Sequence, residues 1–210
     1  MFYARRTRRR ESPDHVDIPA QVNEEKLFPL FQQLPGFMGA YWLANRATRE
    51  ADVFTFWESQ AAAESSRPTV VALHAQFFNP DPGEVLGRDH FEVVAKTGDK
   101  VHRSATHAAV VEWGGDPGQL EAYISAVEQK GLPLLRQDTG FLGGFWLADR
   151  KKGGFVSVTL HDSQANLEAS EERERRQLAE GEGPFPSSYS VEPRHYEIIT
   201  RVLTMAEKTA

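Results

Sequence analysis

The chain writes one strand twice. "GFMGAYWLANR" at residues 36–46 returns as "GFLGGFWLADR" at 140–150. Setting Phe37 on Phe141 gives an offset of 104, since 141 − 37 = 104. On that offset "FPLFQQ" (28–33) meets "LPLLRQ" (132–137), and "WESQA" (57–61) meets "HDSQA" (161–165). Near the end the offset becomes 105, where "HFEVV" (90–94) matches "HYEII" (195–199). Residues 1–100 and 101–210 are therefore two versions of one unit, and a repeat this long limits the fold more than any compositional figure does.

The second copy shows the unit plainly. "ATHAAVVEW" (105–113) is rich in small and β-branched residues and reads as a strand. Asp116 and Pro117 are helix-start signals, and Leu120, Ile124 and Val127 recur at helical spacing up to Gly131-Leu132-Pro133. "FLGGFWLA" and "GFVSVTLH" are two strands joined by "DRKKGG", whose paired glycines suit a hairpin. Ser163 caps a second helix, and after "GEGPFPSSYS" the strand "RHYEIITRV" ends the unit. The order is βαββαβ, the split ferredoxin-like unit. In the first copy "FYARRTRR" is the first strand, "AQVNEEKLFPLF" the first helix with Ile18 and Val22 inward, and "HFEVVAK" the closing strand. The fold class expected is α+β: two tandem ferredoxin-like repeats packed sheet to sheet, since a sheet with helices on one side must bury its other face.

Composition narrows the function. The chain of 210 residues has 13 Phe and 4 Trp, enough for a packed core, and its net charge of −6 argues against bulk affinity for nucleic acid or anionic membrane. No apolar run reaches the ~18 residues of a transmembrane helix, and the basic "MFYARRTRRR" is followed by no apolar segment that would make it a secretory signal. Its plain reading is a strand whose exposed side carries arginine. The chain holds 0 cysteines, which removes thiol chemistry and thiolate metal sites and makes the cytoplasm the expected compartment. No phosphate loop, dinucleotide fingerprint or nucleophile elbow is present, so no cofactor is expected.

With these elements in place, "LPGFMGAYWL" and "DTGFLGGFWL", each leading by a hairpin into "FTFWESQAA" or "VTLHDSQAN", resemble the dimeric α/β-barrel superfamily. The likeness is to its antibiotic-biosynthesis-monooxygenase (ABM) branch. The resemblance covers nearly the whole chain, twice. It implies an intramolecular pseudo-dimer, further paired or not, and an activity drawn from cofactor-free oxygenases of aromatic polyketides, haem-degrading enzymes, cyclases or isomerases, or no activity at all. The haem-degrading branch is expected to carry an Asn on strand one and a Trp ten residues before a His on the second helix. Here Glu64 precedes His74 by ten, and strand one offers Arg and Thr.

Alternation on the third strand separates two faces. Phe54, Phe56, Val158 and Leu160 form an apolar set expected under the helices. Val53, Thr55 and Trp57, with Ser157, Thr159 and His161, form the other, expected to line the barrel as a pocket or to sit at its wet rim. His161 stands where the first copy has Trp57 and is the candidate base, an imidazole titrating near neutrality. Thr55, Trp57, Ser157 and Thr159 are the candidate substrate contacts, together with Trp42 and Trp146, which either stack on a flat ligand or are core. His90 with Glu92, and His195 with Glu197, suit an oriented base, a structural ion pair or two thirds of a metal site; no third ligand is apparent, so no metal is expected. His102 and His107 have no recognisable ligand spacing. A cofactor-free monooxygenase acting on a flat aromatic molecule is the expectation. Its alternatives are a cyclase or isomerase in the same barrel, or a non-catalytic binding protein.

Overall fold

The computed structural model describes residues 2–12, 17–79, 83–98, 104–114, 116–180 and 192–203, with the side chains of 17–19 outside that description. Ile18 and His102 therefore lie outside the described side chains. Eight strands hydrogen-bond in the order β1-β3-β2-β8-β5-β7-β6-β4 and close into an antiparallel barrel. They are β1 (Phe2–Glu11), β2 (Phe37–Asn45), β3 (Glu50–Trp57), β4 (Gly83–Thr97), β5 (His107–Trp113), β6 (Phe141–Asp149), β7 (Gly154–His161) and β8 (Arg194–Leu203). Within that circle each repeat keeps the ferredoxin-like order, fourth strand beside first, then third, then second. The α+β fold of tandem ferredoxin-like repeats is thus present.

The chain divides into two compact units, Met1–Glu92 with Tyr196–Ala210, and Val93–His195. The last strand of each repeat crosses this division. In the first unit β8 pairs with β2, Ala40 opposite Val202 and Trp42 opposite Thr200. In the second, Val94 and Ala95 of β4 pack on a core of Leu120, Val127, Leu132, Trp146, Ala148 and Phe155. β4 begins seven residues before the "HFEVV" that the repeat marks, and at Gly87 it runs beside the Arg8 side chain, where a Cβ would stand 2.7 Å from the guanidinium.

In the first unit the helices are α1 (Asp17–Val22), a π-helical turn Asn23–Leu27, α2 (Phe28–Phe31), α3 (Gln60–Ser65) and α4 (Arg67–Phe77). The second unit repeats the plan with α5 (Leu120–Ala126), a π-turn Val127–Gly131, α6 (Leu132–Leu135) and α7 (Gln164–Ala179). Ser59 and Ser163 cap the third-strand helices, their hydroxyls accepting from the amides of Ala62 and Asn166. No helix among the described residues is long and apolar enough to cross a membrane.

The twice-written strand has a local explanation. Gly36 and Gly140 sit at φ 74° and 79°, a left-handed conformation that costs glycine nothing. A Cβ on Gly36 would also stand 2.8 Å from that of Ala62. One residue later a bulge shifts the β2–β3 register between Phe37 and Gly39, and the same shift recurs between Phe141 and Gly143. The bulge breaks strict alternation and brings Phe37 onto the same face as Ala40, opposite Thr55.

Candidate functional site

Register decides which face is which. Tyr3 pairs with Trp57, Arg5 with Thr55 and Thr7 with Val53 on β1–β3, while Ala40 and Trp42 meet Thr55 and Val53 on β2–β3. These side chains share one face, and that face lies under the helices. Trp57 belongs to a core with Leu27, Phe28, Phe31, Phe37, Ala63 and Phe78. The expected assignment of faces is reversed. Phe54 and Phe56 point the other way, where Phe56 stacks edge-on against Tyr41 at 6.2 Å and the Arg6 guanidinium stands 5.5 Å over Phe54. The same correction holds for Ser157, Thr159 and His161, which face the helices with Trp146 and Phe155. The physical reason is that a closed barrel buries both faces of its sheet, so the more apolar face need not be the helix side. Thr55, Trp57, Ser157 and His161 do not sit at a wet rim, being 5%, 0%, 5% and 1% exposed, while Val53 and Thr159 are half-buried.

Between the sheet and helices of the first unit lies a cavity of about 380 Å3, within the range of small-molecule sites. Its floor is Arg5, Thr7, Arg9, Ala40, Trp42, Val53 and Thr55 from the sheet. Its roof includes Asn23, Leu27, Phe28 and Phe31 from the π-turn and α2, and Val70, His74 and Phe78 from and just beyond α4. The wall is aromatic and aliphatic, with no carboxylate among its described lining residues. Trp57 sits just outside that lining and braces it. Its Nε1 donates to Thr55 Oγ1 at 3.0 Å, its ring meets Phe37 edge-on at 5.3 Å, and the Arg5 guanidinium lies 5.4 Å over it.

Three polar side chains of this cavity are buried with unused donors. Arg5 donates Nη1 to the Ala63 carbonyl at 3.2 Å, but its Nη2, Asn23 Nδ2 and Trp42 Nε1 have no hydrogen-bond partner. Their residues are 5%, 1% and 4% exposed. A buried unpaired donor costs roughly 1–3 kcal/mol, so three on one cavity are a departure from ordinary packing. Burial first, then the charges of Arg88 and Arg67, lower the Arg5 pKa to about 10. It remains a cation at neutral pH. Arg9 differs: its Nε donates to Glu11 at 2.6 Å, which neutralises it.

The second unit has the corresponding space nearly filled. Its hollow is about 50 Å3, lined by Ala109, Val111, Trp113, Trp146, Ser157, Thr159 and His161 among others, room for a few waters at most. His161 meets Thr159 Oγ1 through Nε2 at 3.3 Å and Phe141 edge-on at 5.8 Å, and its Nδ1 is unpartnered. Burial lowers its pKa to about 4, against an opposing pull from Asp162. It is therefore neutral at pH 7. The structure brings Thr55 and Trp42 together on the first cavity, with Trp57 behind them, and Ser157, Thr159, Trp146 and His161 together on the second. His195 instead bonds Glu171 through Nε2 at 2.8 Å, and Glu197 pairs with Arg46 at 2.9 Å. The i,i+2 partners on β8 are thus not each other's. His90 is solvent-facing on β4, its pKa lowered by partial desolvation and then by Arg5. Among the described residues no three His, Cys, Asp or Glu side chains are placed to hold a metal.

Arg5, Arg9 and Asn23 are the site residues that sequence reasoning missed, since the plain reading of β1 puts its arginines on an exposed face. Arg6 is buried too, donating to both Asp52 carboxylate oxygens at 3.0 and 2.5 Å. The signal was available in the repeat: at the offset of 104 the second copy has Ala109, Trp113 and Val127 at the places of Arg5, Arg9 and Asn23.

The architecture is that of the dimeric α/β barrels, and ABM-like monooxygenase and ferredoxin-fold structures resemble it over whole chains. The chain is similar to an anthrone oxidase-like protein, with 13% identity over 100% of this chain and 95% of that one, and a TM-score of 0.64. It is also similar to a putative monooxygenase from Fusobacterium nucleatum, with 9% identity, 96% and 94% covered, and a TM-score of 0.68. A putative monooxygenase from Lactobacillus acidophilus gives 7% identity, 97% and 96% covered, and a TM-score of 0.64. No family model matches the chain, and no curated protein matches it. At such identities the likeness carries the fold and not the activity.

Proposed function

We propose that the protein is a cofactor-independent monooxygenase that oxidises a flat aromatic small molecule in the cavity of the first unit, acting in the cytoplasm. The observation that carries this reading is an aromatic-walled space of about 380 Å3 in one copy of a fold whose structural neighbours include proteins named as monooxygenases. The unit of duplication proposed remains 1–100 and 101–210. In the reaction an activated ring methylene and one molecule of dioxygen give a ring ketone and one molecule of water. Both C–H bonds of the methylene break and a C=O bond forms; one oxygen atom is retained and the other leaves as water. The substrate is itself the four-electron donor, so no external reductant enters the balance. Trp42 and Phe28 would sandwich the ring. Arg5 would stabilise the oxyanion formed when a phenolic or enolic proton leaves, an effect strengthened by exclusion of water. His74, the one imidazole in the described lining, would receive that proton.

The second unit supplies the competing assignment. His161, buried and neutral with a free Nδ1, is the base there, with Ser157, Thr159 and Trp146 around it and His195 farther out on Glu171; His90 belongs to the first unit, on the side of Arg5 and Arg67. Oxygen-electrode measurements with an anthrone in the presence of a chelator decide the matter. One dioxygen consumed per ketone formed, lost in Arg5→Met and kept in His161→Ala, is the expected result. The reverse pattern moves the chemistry to the second unit. Tight binding with no oxygen uptake leaves a binding protein, and product without oxygen consumption leaves a cyclase or isomerase.

A further inference from the structure

The cavity carries a chemical preference that its apolar walls do not explain. Three residues of its lining, on β1, the π-turn and β2, each hold a buried N–H that is unused. Each is a donor and none is an acceptor. The described lining contains no carboxylate that would compete for them, while Arg67 and Arg88 stand on its solvent-exposed side. An isolated buried cation is costly unless something pairs with it. The copies show that the fold does not require this charge. The second unit has Ala109 for Arg5 and Val127 for Asn23, and at Arg67 the offset gives Glu171.

We propose that the first unit's cavity is an oxyanion site, taking a flat aromatic molecule that carries one ionised oxygen group, a carboxylate or an acidic phenolate. Arg5 supplies the charge and Asn23 and Trp42 supply further hydrogen bonds, the three being left unpaired in the empty protein so that the ligand can complete them. The ring occupies the space under Phe28, Phe31 and Phe78. Neutral aromatics of the same size enter the same space but leave the cation unpaired. The lowered pKa of Arg5 agrees with this, since its causes are burial and two further arginines. This inference rests on the reading of that cavity as the ligand site and is independent of oxygen chemistry.

Calorimetric titration of the full chain with 2-naphthoate, with its neutral isostere 2-naphthamide and with 4-nitro-1-naphthol tests it. Naphthoate is expected to bind at least about tenfold more tightly than the amide, the advantage of a charge-assisted pair over a neutral one. Arg5→Met should abolish most of that preference, weakening naphthoate by roughly 10- to 100-fold while leaving the amide within a few-fold. Asn23→Val, the residue of the second copy, should weaken the anion several-fold while melting no lower than wild type, because it removes an unused buried donor. A merely structural Asn23 would lower the melting temperature instead. The nitronaphthol separates the two sources: preference for both anions supports a general oxyanion site, and preference for one assigns the group. Equal affinity for acid and amide, or equal loss of both in Arg5→Met, overturns the inference. Anion preference without oxygen uptake defeats the oxygenase reading alone, and oxygen uptake without anion preference defeats this one alone.

Discussion

The two copies build the same floor and furnish it differently. In the first unit β1 presents Arg5, Thr7 and Arg9 to a cavity of about 380 Å3; in the second the matching Ala109, Val111 and Trp113 face a hollow of about 50 Å3. Phe155, 1% exposed, packs with Trp146 and Ala148 in the second unit at the place where the first has Ala51. The helix-facing core of the second unit is therefore a packed version of the first, and what the first lacks in packing it has in unpaired donors. Stability and binding compete for the same side chains, and each copy has settled the competition in one direction.

Installing one copy's residues in the other breaks the comparison in a measurable way. The largest effect should come from Arg6, which shares a fully buried ion pair with Asp52 where the second copy has Val110 and Val156. Arg6→Val alone leaves a buried carboxylate and is expected to cost about 3–5 kcal/mol in denaturant unfolding. The double variant Arg6→Val/Asp52→Val should recover most of that loss. A double loss equal to the sum of the Arg6→Val and Asp52→Val losses would show that the two charges are not coupled.

Acid unfolding comes next. His161 has its folded pKa at about 4, below the ordinary value of 6.5. Its neutral form is the one the fold accepts, so the stability it supports is whole above pH 6.5 and is lost as pH falls from there to about 4. The loss is roughly 3 kcal/mol at most. Asp162 is held below the usual carboxylate range by Asn166 and then Ser163, so its contribution disappears at lower pH still. A stability–pH curve for His161→Gln should be flatter between pH 6.5 and 4. The smallest effect is a control on the symmetry itself. Ser59→Ala and Ser163→Ala each remove a helix cap and should each cost about 1 kcal/mol, Ser163→Ala also losing its donation to Asp162 at 3.0 Å. A Ser59→Ala loss well above the Ser163→Ala loss would contradict this.

Much of this was legible in the sequence because the chain carries its own internal comparison. Element order, the hairpins and the Ser163 cap follow from turn chemistry and from reading the copies side by side. The faces did not follow. Period-two alternation separates Thr55 from Phe56 but carries no label for the helix side, and in a closed sheet both faces are buried. The bulge at Phe37–Gly39 adds a second ambiguity by breaking the alternation on the strand that carries Trp42. The arginines of β1 escape sequence reading for a related reason: a charged residue on a strand is ordinarily solvated, and only the carboxylate of Asp52, 46 residues away in sequence, makes Arg6 a buried one. Divergence at the third strand is the clearest in the sequence and draws attention to His161. Divergence at the first strand, Arg5 against Ala109, is equally present, and it is the one that puts a cation on the larger cavity.

The claim that the first copy holds the ligand site is tested most directly by locating a heavy atom. Crystals of the protein grown with 6-bromo-2-naphthoate should show one strong anomalous bromine peak per chain between Phe28 and Phe78, with the carboxylate on Arg5, Asn23 and Trp42. A peak beside His161 and Ser157, or none inside the first unit at saturating ligand, would contradict the account.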